Sequence, residues 1–94
     1  MPREATLFEE SGGSVLRAYL LLKSAGSANI PPNWIERAKD SRKNREANVA
    51  AALREGSVKD LLTLEQWELA YRKECFYRGL RVLLELEREG KSAI

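Results

Sequence analysis

The sequence predicts an all-α protein, a small bundle of three principal helices with a long C-terminal helix as its spine. Three observations carry this. Residues 63–89, TLEQWELAYRKECFYRGLRVLLELERE, hold no proline and a single glycine, and their apolar positions recur at spacings of three and four. Two further stretches of helical periodicity precede them, each opened by a cap or a proline and closed by glycine. No segment shows the alternation of apolar and polar residues that marks a half-buried strand.

The chain has 94 residues, enough for one domain, residues 1–94, with a modest core. Residues 1–13 read as a lead-in that need not be ordered. Pro2 and the spacing Thr6-x-x-Glu9 allow one or two helical turns, Gly12 and Gly13 end them, and Leu7 and Phe8 are expected to dock on the core.

The first principal helix is expected over 14–25, with Ser14 as its N-cap. Val15, Ala18, Tyr19 and Leu22 share a face, which Leu16, Leu20 and Leu21 extend nearly all round, so this helix reads as buried. Ala25-Gly26 closes it.

The second helix, 32–55, opens at Pro31-Pro32, where a missing N–H costs nothing, and stops at Gly56. Trp34, Ile35, Ala38, Val49, Ala52 and Leu53 share a face. Arg42 and Arg45 interrupt that stripe, so the helix either continues as a polar middle or breaks near residues 41–44. Continuity is the favoured reading. A connection follows, with Ser57 as a cap for one turn.

The third helix, 63–90, takes Thr63 as N-cap with Gln66 three residues on, and Gly90 as its stop. Leu64, Trp67, Tyr71, Cys75, Gly79, Val82 and Leu86 form one stripe. Leu69, Phe76, Leu80 and Leu83 widen it beyond what one neighbouring helix covers. At 1.5 Å per residue this helix spans about 40 Å. Its uncovered half is expected to need a partner, a second copy in a homodimer or another protein, through Tyr77, Leu80, Leu83, Leu84 and Leu86. Gly79 in a helix interior suggests a close helix crossing.

The residues also exclude much chemistry. There is no histidine and only one cysteine, which removes Ser-His and Cys-His catalysis and the usual zinc sites. Gly12-Gly13 lacks the phosphate-loop frame. Carboxylates such as Glu68, Glu74 and Glu85 stand four residues from Arg72, Arg78 and Arg81 and read as solvated helix pairs. Cys75 reads as a small buried hydrophobe, and Trp34 and Trp67 as core. A non-enzymatic protein with no cofactor and no metal is therefore expected. One cysteine, an acidic N-terminal stretch without an apolar leader, and no apolar run near the ~20 residues of a membrane span suggest a cytoplasmic protein without membrane contact.

The sharpest local feature is RAKDSRKNR, residues 37–45. Arg37, Lys39, Arg42, Lys43 and Arg45 face a single acid, Asp40, and could grip nucleic-acid phosphates with help from Ser41, Asn44 and Asn48. Against this, the whole chain carries a net charge of only +2, and Glu36 and Glu46 could pair with the same bases. The expected function is a small helical interaction module, an adaptor, inhibitor or assembly subunit, acting through an apolar face of its C-terminal helix. The alternative is a nucleic-acid-binding accessory protein using the basic segment.

Overall fold

A computed structural model describes residues 3–27, 29–55 and 60–91. It is all-α: α1 (Glu4–Glu10), α2 (Val15–Ser24), α3 (Pro32–Glu55) and α4 (Asp60–Arg88), with no strand among the described residues. Pro2, Gly56 and Ser57, read above as helix signals, lie outside the described residues.

The three expected helices are α2, α3 and α4, and the lead-in supplies a fourth. In α1, Leu7 and Ser11 are fully buried, so the segment is held by the core. Its N-cap is Arg3 without a side-chain cap bond, and Thr6 lies inside the helix, its hydroxyl donating to the Arg3 carbonyl. Ser14 caps α2 as expected, its Oγ accepting from the Arg17 N–H at 3.3 Å. The helix stops are those the sequence marks. Gly90 adopts φ 77°, and the Lys91 N–H bonds the Leu86 carbonyl at 2.9 Å while that of Gly90 bonds Glu87, the paired closure of a Schellman motif.

Two expectations about helix extent resolve differently. α3 is unbroken through 41–44, and Arg42 in the middle of its stripe is ion-paired to Glu74 of α4. α4 starts at Asp60, so Thr63 sits inside the helix, not at its cap.

α3 and α4 form an antiparallel hairpin. Asn29 lies against Arg88, the rings of Trp34 and Tyr77 meet edge to face at 5.8 Å, Arg42 reaches Glu74 and Arg45 reaches Gln66. α2 runs parallel to the C-terminal half of α4. Val15 faces Gly79, where a built Cβ would stand 3.6 Å from the valine methyl, and Lys23 pairs with Glu87 at 2.6 Å. α1 lies over the middle of α4. Phe8 meets Phe76 edge-on at 5.1 Å, Glu9 pairs with Lys73, and the Tyr77 hydroxyl donates to the Glu4 carbonyl at 2.6 Å. The core between them comprises Leu7, Ala18, Tyr19, Leu22, Ile30, Trp34, Ile35, Ala38, Phe76, Tyr77, Leu80 and Leu84. Toward the N-terminal end of α4 the cover thins, and Leu53 and Leu69 are exposed. The result is a rod with extents of 51 × 21 × 21 Å.

Candidate interaction surface

The apolar arc of α4 divides into two faces, and the structure buries the one the sequence assigns to a partner. Tyr77, Leu80 and Leu84 are core residues of the chain itself, and Leu83 packs against that core. Tyr77, Leu80 and Leu84 cannot meet another molecule while the chain is folded, which corrects their expected place at an interface. Leu83 and Leu86 of that set are half-buried. The physical reason is apolar volume. Phe76, Tyr77, Leu80, Leu83 and Leu84 form an unbroken bulky row. The other stripe carries Cys75 and Gly79 at its middle and would bury little there.

That other stripe is left facing outward. Leu64, Trp67, Gly79 and Leu86 are half-buried and Cys75 is exposed, while Tyr71 and Val82 are 44% and 53% exposed. An exposed Cys75 corrects the expectation of a buried one. Trp67 stacks on Tyr71 with ring centroids 6.2 Å apart, its buried indole N–H has no acceptor among the described residues, and it is half-buried, not the core residue expected. Trp34, by contrast, is buried.

α2 exposes apolar residues of its own. Its inward side is Val15, Ala18, Tyr19 and Leu22. Leu16 and Leu20, one turn apart, are 48% and 51% exposed. The reading of α2 as buried all round therefore holds for one side only. Beside Cys75 a hollow of about 260 Å³ opens between Phe8, Val15, Tyr71 and Arg72. Charges rim the stripe on the α3 side, where Arg81 pairs with Glu85 at 2.8 Å.

The basic segment is mostly engaged within the chain. Arg37 pairs with Glu4 at 2.8 Å and Arg45 donates to the Gln66 side-chain oxygen at 2.8 Å. Arg42 lies 2.6 Å from Glu74 and over the Tyr71 ring at 5.4 Å. Lys39 and Lys43 show no ion pair among the described residues. Arg37, Ser41, Asn44, Arg45 and Asn48 line one shallow hollow with Asp40.

Glu74 is the residue that sequence reasoning misplaced most. It pairs with Arg78 as the spacing predicts, at 3.0 Å, yet it is only 2% exposed and so lies between helices, not on a solvated face. The signal was present: Arg42, inside the apolar stripe of its own helix, needed an acid opposite.

Titration shifts are found at two places. Burial, then the nearby Glu4 and Glu9 carboxylates, push the Tyr77 hydroxyl up to about 12. Between α2 and α4, hydrogen bonding with Lys23 lowers Glu87, and the same contact raises Lys23. Among the described residues, no group of three or more metal-ligating side chains comes together. No helix there is long and apolar enough to cross a membrane.

No protein-family model matches the chain, and no curated protein or solved structure matches it significantly.

Proposed function

We propose that this protein is a non-enzymatic helical interaction module that docks a polypeptide on the outer face of α4, residues 64–86. The observation that supports this is the second apolar stripe of α4, which the chain does not use for its own core although Tyr71 and Val82 reach solvent, as Leu16 and Leu20 of α2 also do. Contiguous apolar surface at this scale, rimmed by charge, is characteristic of protein contact sites. Site-specific photocrosslinking tests it. A photoreactive residue at Val82 should give polypeptide adducts in the source cell, whereas one at Lys43 should not. Adducts from Lys43 alone would count against the reading.

Nucleic-acid binding is the second reading, supported by the hollow that gathers Arg37, Arg45, Ser41, Asn44 and Asn48. The intramolecular partners of Arg37, Arg42 and Arg45 weaken it. If Lys39, Lys43 and Arg45 each met a phosphate, log affinity would fall with log salt at a slope of about −2 to −3. A flat salt profile discards this reading.

A further inference from the structure

We infer that the outer face of α4 receives an acidic polypeptide segment at its middle, with one apolar side chain of that segment beside Cys75 and its carboxylates on Arg72 and Arg78. This rests on the interaction reading above and names the chemistry of the partner. Arg72 and Arg78 stand three residues either side of Cys75, and both are exposed. Arg78 shares the buried Glu74 carboxylate with Arg42, which sits closer, at 2.6 Å against 3.0 Å. Glu46 offers Arg42 only a loose second contact at 3.9 Å. Arg78 therefore keeps much of its charge for solvent, and its side chain is 55% exposed. Glu68 stands one turn before Arg72, yet among the described residues Arg72 makes no ion pair.

The Arg72 guanidinium lies instead at the hollow beside Cys75. Its Nη2 is 3.9 Å from where a Cβ on Gly13 would stand. The hollow holds about 260 Å³, and apart from Arg72 its walls are apolar, with Phe8, Val15, Tyr71 and Phe76 around Cys75. That combination suits one aliphatic or aromatic side chain with a carboxylate next to it, which the guanidinium fork can grip through two hydrogen bonds. The acids of this face lie away from its middle. Glu68 stands seven residues from Cys75, and Glu65 and Glu85 ten, about 10 and 15 Å along the axis. The screening length in physiological salt is about 8 Å, and Glu85 is already taken up by Arg81. A partner presenting cations at the middle, a second copy of this chain included, would meet like charge there.

The test selects random displayed peptides on the immobilised full chain at low salt. Each winner is read for its composition, its protection of Cys75 from a maleimide, and its affinity for Arg72→Glu. The expected winners carry Asp or Glu next to Leu, Ile or Phe and slow the labelling of Cys75. They bind more weakly as salt rises and lose about tenfold or more in affinity for Arg72→Glu. Exchanging their acid for lysine should restore binding to that variant. Should Arg72→Glu fail to fold, Arg72→Ala serves in its place. Winners that protect Cys75 but lack acids, or that bind Arg72→Glu as tightly as the parent, overturn the acidic partner and leave the interaction reading standing. A dimer in light scattering with Cys75 protected gives the face to a second copy and overturns the acidic partner too. If no peptide protects Cys75, or only a single-stranded oligonucleotide does, the interaction reading falls with it.

Discussion

Glu74 is a buried charge that ties α4 to α3 within the hairpin. Its carboxylate is held between Arg42 and Arg78, and among the described residues only Arg42 reaches it from another helix. The Arg42 contact is a close ion pair but forms no hydrogen bond, so its value is mainly coulombic. Arg42→Ala leaves the buried carboxylate with a half-exposed partner on its own helix. Breaking a fully buried pair costs about 3–5 kcal/mol. The Arg42 side chain is 25% exposed and Arg78 remains, so a loss of about 2–3 kcal/mol is expected, read as a lower urea midpoint at unchanged slope. Tyr77 gives a second test. Tyr77→Phe should cost about 1 kcal/mol at neutral pH through the lost bond to the Glu4 carbonyl. Its hydroxyl titrates near 12 in the folded chain and near 10 when unfolded. The folded state thus holds the proton more tightly, and its advantage is complete below pH 10 and lost as pH climbs toward 12. The parent should lose stability across that window faster than Tyr77→Phe does. Arg42 and Glu74 were legible separately, one as a polar break in a stripe and the other as half of a helix pair. Their meeting was not, because it depends on the antiparallel register, which no local spacing encodes.

At the scale of the element, the sequence announces α4 as too apolar for one neighbour but does not say which face wins. Both stripes obey the helical period, so periodicity alone cannot rank them. Volume does, together with α1, whose Phe8 reaches Phe76 and so draws that side inward. α1 itself was hard to read, because seven residues carry too little periodicity and Arg3 gives no side-chain cap. Substitutions along α4 separate the two faces. Leu80→Ala opens a cavity in a fully buried site and should cost about 3 kcal/mol. Val82→Ala should stay within about 0.5 kcal/mol in the monomer. Leu83→Glu should destabilise the fold, because Leu83 packs on the core. Gly79→Ala adds a methyl at ordinary contact distance, 3.6 Å from Val15, and gains about 0.5–1 kcal/mol of helix propensity. Thermal unfolding of each variant at low concentration, where association does not contribute, checks all four.

For the whole molecule, the position of the outer face sets the shape any assembly takes. The rod has a radius of gyration of 15.6 Å and a long axis of 51 Å. The centre of the outer stripe, Cys75, also lies close to the middle of α4, which runs Asp60–Arg88. Pairing there stacks two rods side by side, not end to end. A centre separation near the rod width of 21 Å combines half that distance in quadrature with the radius of one copy and gives a dimer of about 19 Å, still compact for its size. End-to-end association through the exposed Leu53 and Leu69 would separate the centres by about the 51 Å rod length and give about 30 Å, far above a compact domain. Should light scattering read a dimer at any concentration, small-angle scattering at that concentration distinguishes the two. A radius near 19 Å with a maximum dimension little longer than one rod would put a second copy on the outer face. A radius near 30 Å would move the contact to the α3–α4 tip, and Val82→Arg would then leave the dimer intact.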